Sequence, residues 1–193
     1  MPNATVFAVR GKLTRQILGL PETVPLGDPG LLLRKYYRER QKKKFVLGLI
    51  PHNVDKNNRY IAEMVQREPA KVKVINVSDC RRGHLFGDGV WNVVRQIDEC
   101  EHIVSSSLHG LIISDMLNIP NRQMLLSNKV VGGGFKFRDY YSAFDTERSP
   151  LVLDGTETAA MLVNSTLLPP SSLPEVTDTL EEAWNKMLNV LLR

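Results

Sequence analysis

The sequence has little cysteine and no long apolar run. It contains two cysteines among 193 residues, Cys80 and Cys100, and neither belongs to a Cys-x-x-Cys or Cys/His spacing. That usage argues against a disulfide framework and against a zinc site, so we expect reduced thiols in a cytoplasmic protein and no bound metal. No stretch reaches the roughly 18 apolar residues of a membrane span, and residues 1–10 lack the pattern of a signal peptide.

A strong excess of one charge is also absent. Basic residues number 25 and acidic residues 21, which leaves a formal net charge of +4 at pH 7. This excess is too small to require a nucleic-acid partner, and neither a stacked aromatic platform nor a nucleic-acid motif is present. Seven of the basic residues lie in one run, which consists of Arg34, Lys35, Arg38, Arg40, Lys42, Lys43 and Lys44. We expect this run to form a solvated helix face.

Short apolar runs alternate with helical periodicity along most of the chain. We predict strands at residues 5–9, 45–50, 72–77, 103–105 and 123–126. Apolar residues spaced by three or four predict helices at residues 12–18, 31–38, 55–66, 90–100, 108–117 and 177–192. This alternation predicts an α/β fold, a Rossmann-like parallel sheet with helices on both faces, in which ligands bind at the carboxyl ends of the strands.

The length of the chain suits one core of ordinary size. We assign residues 1–165 to a Rossmann-like domain. Residues 166–193 are predicted to form a linker rich in proline and serine, followed by a C-terminal amphipathic helix. That helix has an apolar stripe that includes Trp184, and the stripe either packs on its own domain or faces a partner.

One strand-to-helix junction stands out as a candidate anion site. A short apolar strand runs into Ser105, Ser106 and Ser107, and one of the last two serines is predicted to cap the helix that follows. The unpaired N–H groups and the dipole of that helix favour a phosphate or a carboxylate. His109 would lie beside the anion, and Gly110 has no side chain to obstruct its approach. The alternative is that the serines only cap the helix and that His109 only packs.

Four other segments accompany this junction. They read VRGKLT from Val9, GDP followed by LLL from Gly27, GLIPH from Gly48, and GFKFRDY from Gly134. In this order, the five segments resemble the polysaccharide pyruvyl transferase family, specifically its succinoglycan-type exopolysaccharide ketal-pyruvate transferases. The resemblance covers residues 4–145 and corresponds to the C-terminal half of a family member. It implies the C-terminal domain of a two-domain, GT-B-like fold.

The resemblance implies an activity and its substrates. A family member transfers pyruvate from phosphoenolpyruvate, the donor substrate, to a sugar of an exopolysaccharide or surface-glycan precursor and forms a ketal. No cofactor is implied, and the acceptor is a lipid-linked or polymeric sugar. Because only half of a family member is matched, a homodimer or a separate N-terminal-half partner would supply the second wall of the cleft. The alternatives are a GT-B-like glycosyltransferase that uses a nucleotide sugar and a non-catalytic half-enzyme that binds an anion or a glycan.

The implied chemistry assigns roles to two residues. The methylene of the donor must be protonated by an acid whose pKa lies near neutrality, and His109 suits this role. By motif, Arg10 at the carboxyl end of the first predicted strand would be the donor-binding arginine, because its planar fork matches a carboxylate or phosphate. The alternative for Arg10 is a surface arginine that anchors Asp28 or a helix end.

The remaining candidates lie in the junction and in three loops. Ser105, Ser106, Ser107, Gly110, Lys136 and Arg138 are predicted to bind the donor anion. In the loop at residues 131–139, Lys136 and Arg138 alternate with phenylalanines so that both cations point one way, and three glycines make the loop either a mobile cover or a flexible crossing. His52 and Asp139 are candidate acceptor contacts, with an ordinary loop histidine and an Arg138 partner as the alternatives.

Two further features receive a functional alternative from the resemblance. His84 lies in a loop that contains three glycines, where it is a candidate contact for the acceptor. The basic run at residues 34–44 would attract an anionic, lipid-linked sugar at the inner face of a membrane, as the alternative to a solvated helix face.

Overall fold

The computed structural model describes residues 4–78, 88–132 and 134–192. The loop that holds Cys80 and His84 lies outside these ranges, as does Gly133. Five strands form one sheet in the described part of the chain: β1 (Phe45–Ile50), β2 (Val72–Val74), β3 (Cys100–Ser105), β4 (Asn121–Leu125) and β5 (Leu151–Val152). All neighbours are parallel, in the order β2-β1-β3-β4-β5. The predicted α/β fold with a parallel sheet is therefore confirmed.

Helices cover both faces of this sheet. The described residues form α1 (Lys12–Ile17), α2 (Arg59–Arg67), α3 (Asp88–Asp98), α4 (Leu108–Met116), α5 (Phe135–Ser142), α6 (Ala159–Ser165) and α7 (Leu173–Leu191), with short 3-10 helices at Pro29–Lys35 and Asn53–Asp55. Side chains of α2 and α6 pack on one face, against Leu47 and Leu49 of β1. Side chains of α3 and α4 pack on the other face, against Ile50 and Ile103. A strand buried on both sides in this way accounts for the continuous apolar run of β1.

Two of the predicted elements differ in the structure. Residues 4–8 form no strand, and Val9 makes a single parallel bridge to Leu26. The ladder does not extend towards the N-terminus, because the next hydrogen bond would need a backbone N–H at Pro25, the residue before Leu26, and proline has none. After Asp28, the chain forms a 3-10 helix instead of the predicted α-helix, and Asp28 caps it by accepting a hydrogen bond from the Gly30 N–H at 3.0 Å.

The basic run at residues 34–44 is not a solvated helix face. Beyond the 3-10 helix that ends at Lys35, its residues cross the molecule without regular structure and reach β1. Five of its seven cations form ion pairs, namely Arg34, Lys35, Arg40, Lys43 and Lys44. Asp98 is the main anchor, because its fully buried carboxylate accepts hydrogen bonds from Tyr37, the Gln41 N–H and Lys43. Buried and exposed carboxylates therefore fix the position of this basic run.

The C-terminal helix packs on the rest of the described chain. Leu167 pairs with Asn121 of β4 in an antiparallel bridge, and α7 starts at Leu173, earlier than predicted, with proline in its first turn. Leu180 is buried against the segment that contains Gly27 and the 3-10 helix at Pro29–Lys35. Trp184 is 39% exposed at the edge of this contact. No helix in the described ranges is long and apolar enough to cross a membrane.

Candidate active site

The strand order reverses between β1 and β3, and we call the gap at the carboxyl ends of these two strands the crevice. The chain leaves β1 towards the face covered by α2, and it leaves β3 towards the face covered by α4. In a sheet of this order, the gap between the carboxyl ends of β1 and β3 is the expected ligand site. His52 follows β1 and Ser106 follows β3, and the His52 N–H donates to Ser106 Oγ at 2.7 Å. The structure therefore brings His52 and the serine junction together at this crevice.

The three serines of the junction have different roles. The Ser105 hydroxyl lies within donating distance of the Ile50 and Ser107 carbonyls, at 3.1 and 2.8 Å, and accepts from the Ser107 N–H at 3.0 Å. Ser106 is engaged by His52, as above. Ser107 is the N-cap residue of α4, but its hydroxyl makes no capping hydrogen bond. Ser105 and Ser106 thus close the turn between the strands, and the first turn of α4 is left without a side-chain cap.

The start of α4 offers unoccupied donors. Among the described residues, no acceptor is recorded for the backbone N–H groups of Leu108, His109 and Gly110. The His109 side chain is exposed beside them. A side chain at Gly110 would bring its Cβ within 2.5 Å of Ser105 Oγ and 3.1 Å of Ile50. The missing side chain therefore lets α4 pack closely on the strands, so that its amino terminus reaches the crevice.

Arg10 is held in place by a buried carboxylate. Its Nε lies 3.3 Å from Asp139 Oδ2, and Asp139 also accepts from the Thr14 N–H at 2.8 Å and from the Thr14 hydroxyl at 2.7 Å. A Cβ on Gly11 would lie 1.7 Å from the Asp139 carbonyl oxygen, so α1 and α5 dock in direct backbone contact. Both carboxylate oxygens of Asp139 are engaged. Asp139 therefore positions Arg10 and α1 in the structure described here.

Three basic groups lie close to one another at the crevice. Burial lowers the pKa of Lys136, and the positive charge of Arg10 lowers it further. Burial also lowers the pKa of His52, and the charge of Lys136 adds to the decrease, whereas Asp55 opposes it. Lys136 therefore experiences repulsion from Arg10 and exerts it on His52. An anion bound there would relieve the repulsion.

Lys136 and Arg138 point in different directions. The prediction that both cations point one way is therefore wrong. Residues 135–142 form a helix, in which a step of two residues turns the side chain by roughly 200°. Lys136 faces Arg10 and His52, whereas Arg138 is exposed and lines a separate cavity. The signal for this helix was present, because Phe137, Tyr140, Tyr141 and Phe144 are spaced by three or four residues and are buried.

The cavity next to α5 was not predicted from the sequence. It has a volume of about 1030 Å³ and lies between α5, the carboxyl end of β4 and residues 145–150. Gln123 and Ser127 are among its lining residues. Ser127 donates a hydrogen bond of 2.5 Å to Oδ1 of the buried Asp55, whose Oδ2 has no hydrogen-bond partner in the described structure. We call this space the α5 cavity.

In residues 4–78, 88–132 and 134–192, no three histidine, cysteine, aspartate or glutamate side chains are grouped closely enough to hold a metal ion. The crevice instead contains basic side chains and backbone donors, which are the groups that bind oxyanions.

Comparison with known proteins identifies a family. The family model described as polysaccharide pyruvyl transferase matches residues 1–122, which include Arg10, His52 and the junction at residues 105–110. An uncharacterized protein of Acanthamoeba polyphaga mimivirus is 32% identical over 147 residues, which cover 72% of this chain and 48% of that protein. The chain thus spans about half the length of this curated relative. Since the family model covers more than half of the chain, the chain belongs to the polysaccharide pyruvyl transferase family.

Proposed function

We propose that this chain carries the donor-binding site of a pyruvyl transferase that takes pyruvate from phosphoenolpyruvate. The acceptor is a sugar of an exopolysaccharide or surface-glycan precursor, lipid-linked or polymeric, and the product is a cyclic ketal. Membership of the family supports a pyruvyl transferase role in general terms. The choice of donor is supported by the basic crevice between β1 and β3.

The observation that carries the proposal is the convergence of cations and backbone donors at one crevice. Phosphoenolpyruvate is a small molecule with two anionic groups, a carboxylate and a phosphate. Arg10, Lys136 and His52 lie together there, and the unoccupied N–H groups at the start of α4 belong to the same edge of the sheet. A guanidinium can bind one anionic group with two hydrogen bonds, while a helix amino terminus binds the other.

In this proposal, the residues of the crevice have separate tasks. Arg10, fixed by Asp139, binds the donor together with Lys136. His109 gives a proton to the donor methylene, which makes the adjacent carbon electrophilic. Two hydroxyls of the acceptor sugar then bond to that carbon as the phosphate leaves. Of the two hydroxyl protons released, one replaces the proton that formed the methyl group and the other leaves with phosphate, so that the reaction balances.

The setting of the reaction is part of the same proposal. The chain spans about half of its relative, and the second wall of the cleft would come from an N-terminal half of the kind that family members have or from a second copy. We place the reaction in the cytoplasm, where phosphoenolpyruvate is produced, and at the inner face of the membrane when the acceptor is lipid-linked. The basic run adds little to membrane attraction, because five of its seven cations are ion-paired.

Calorimetric titration with phosphoenolpyruvate, inorganic phosphate and a uridine diphosphate sugar tests this function. We expect phosphoenolpyruvate to bind more tightly than phosphate and the nucleotide sugar not to bind. Arg10→Ala should weaken phosphoenolpyruvate binding by about tenfold or more, equivalent to roughly 1.4 kcal/mol. The matched control is Arg38→Ala, which removes the same charge from an exposed position outside the crevice.

Two results would redirect the proposal. If the nucleotide sugar bound and phosphoenolpyruvate did not, the chain would be a glycosyltransferase on the same fold. Equal affinity for phosphate and phosphoenolpyruvate would favour an anion-binding module that does not recognise the carboxylate of the donor.

A further inference from the structure

The α5 cavity has a different chemical character from the basic crevice. The two spaces meet different faces of α5, since Lys136 faces the crevice while Phe137, Arg138 and Tyr141 line the cavity. Lys12 also lines the cavity, but it forms an ion pair with Asp145, another lining residue. The cavity therefore combines aromatic walls with polar groups and largely balanced charge, whereas the crevice is positive.

Gln123 supplies an unsatisfied polar group to the floor of the cavity. It projects from β4 and is only 5% exposed, yet it lines the cavity. Its neighbour Met124 is buried in the core on the side of α2 and α6, so the alternation of a strand places Gln123 on the opposite face, towards α5. Among the described residues, none forms a hydrogen bond with its side-chain amide. The amide is therefore open to a molecule in the cavity that both donates and accepts hydrogen bonds.

Two other polar residues line the cavity. Arg148 lies over the Tyr141 ring, 4.7 Å from its centroid, and its Nη2 donates to the Leu168 carbonyl. Ser127 donates its hydroxyl proton to Asp55, and its oxygen accepts from the Lys129 N–H at 3.2 Å. Among these three residues, Gln123 is therefore the one whose accessible side-chain groups have no partner in the described part of the chain.

We propose that the α5 cavity binds the acceptor sugar, with the Gln123 amide bonded to neighbouring hydroxyls of one pyranose ring. A sugar hydroxyl both donates and accepts, as an amide does, and the apolar face of a sugar ring packs on aromatic side chains. The volume of about 1030 Å³ is large enough for more than one sugar unit. This inference rests on the proposed function, because a ketal forms on two hydroxyls of one sugar.

The geometry also explains why two substrates need two spaces. The donor carries two negative charges and fits the positive crevice, whereas a neutral sugar would gain little there. Since α5 forms a wall of both spaces, a sugar in the cavity lies beside the helix that also carries Lys136 to the donor. The Asp55 carboxylate, behind Ser127 on the cavity side and near His52 on the crevice side, is a second link between them.

Backbone ¹⁵N chemical-shift mapping with the methyl glycosides of glucose, galactose and mannose tests the inference. We expect at least one glycoside, at millimolar concentration, to shift signals of residues at 123–132 and 137–149 that line the cavity. Gln123→Met keeps the volume of the side chain and removes the amide, so it should abolish these shifts. Gln66→Met, at an exposed position on α2, is the matched control.

The outcomes separate this inference from the proposed function. If phosphoenolpyruvate shifts signals at residues 52 and 106–110 but no glycoside shifts cavity signals, the sugar assignment is wrong and the donor site stands. Glycoside shifts that persist unchanged in Gln123→Met also overturn the assignment. If a glycoside binds in the cavity and phosphoenolpyruvate binds nowhere, the cavity is a sugar site and the proposed function is wrong.

Discussion

Asp139 holds Arg10 in the crevice and also joins two helices. Its fully buried carboxylate receives three hydrogen bonds, from Arg10 and from the backbone and hydroxyl of Thr14. An arginine fixed in this way loses less rotational freedom when an anion binds than a mobile arginine would. Asp139 also offsets part of the positive field of the crevice, so the donor meets a positioned but incompletely neutralised guanidinium.

Asp115 is a second buried carboxylate, and it makes stability depend on pH. Burial raises its pKa from an ordinary value of 3.8 to about 6, although hydrogen bonds from Asn121 and Tyr140 oppose the increase. Between these two pH values, the folded protein holds a proton that the unfolded chain has released. The stabilising contribution is therefore complete below about pH 4 and is lost as the pH rises to about 6, a change of roughly 3 kcal/mol.

Asp115→Asn should remove this part of the pH profile. The test is urea denaturation of wild type and variant at several values between pH 4 and pH 7, with the difference in unfolding free energy plotted against pH. We expect the unfolding free energy of the variant to increase relative to that of the wild type as the pH rises. Acids with a lowered pKa, such as Glu68 and Glu99, contribute equally to both proteins and cancel in the difference. Glu63→Gln, at an exposed position on α2 and without an ion pair in the described structure, is the control. A difference for Asp115→Asn that does not change with pH would refute the assignment.

The placement of α4 depends on the absence of a side chain at Gly110. In an open helix position, replacing glycine by alanine stabilises by about 1 kcal/mol. Here the new Cβ would meet Ser105 Oγ at 2.5 Å and Ile50 at 3.1 Å, which forces the helix away from β1 and β3. We expect Gly110→Ala to destabilise the protein by about 2 kcal/mol. Because the amino terminus of α4 moves with the helix, phosphoenolpyruvate binding should weaken as well.

Equilibrium denaturation together with calorimetric titration measures both effects. The control is Gly19→Ala, where a Cβ meets nothing within 4 Å and the cost comes from the positive φ of 61°, about 1 kcal/mol. That variant should leave the affinity for phosphoenolpyruvate unchanged. A Gly110→Ala protein with unaltered stability and affinity would show that close packing of α4 does not form the site.

Elements with a regular pattern of apolar residues were predictable from the sequence. Contacts between segments that are distant in the sequence were not. The apolar run of β1 and the stripe of α4 gave those elements at almost the observed bounds. The strand expected before Arg10 failed, because a strand needs a neighbour with free donors and Pro25 has none. Arg10 and Asp139 are 129 positions apart in the sequence, and no local sequence pattern predicts their pairing.

The same limit applies to the candidate site. The junction at residues 105–110 was found from its serines, its histidine and its resemblance to a family, and the strand order then placed it at the crevice. The glycines before Phe135 favoured a loop, although the spacing of the buried aromatic residues is that of the helix that forms there. Gln123 gave no signal, because a glutamine in a short strand looks like a solvent-facing residue until the cavity above it is seen.

Donor crevice and cavity both lie at one edge of the sheet, which leaves the opposite edge free of assigned chemistry. The C-terminal helix packs on the 3-10 helix at Pro29–Lys35, with Leu180 buried and ion pairs from Arg34 to Asp178 and from Lys35 to Glu181. The helix therefore contributes to the stability of the domain. Whether residue 165 ends an independent unit depends on whether residues 166–193 unfold cooperatively with the sheet.

We predict that residues 166–193 unfold together with the sheet. The chain has two tryptophans, which report on different regions: Trp91 in α3 stacks on Tyr37 with centroids 6.0 Å apart, and Trp184 lies on α7 in a groove with Tyr36. Trp184→Phe and Trp91→Phe each leave one reporter. Because α7 is joined to the domain by a buried leucine and two ion pairs, and the segment before it by the bridge from Leu167 to Asn121, both fluorescence transitions in urea should coincide with the loss of far-ultraviolet circular dichroism. A Trp184 transition at clearly lower urea than the Trp91 transition would instead make residues 166–193 a separate unit that detaches before the Rossmann-like domain unfolds.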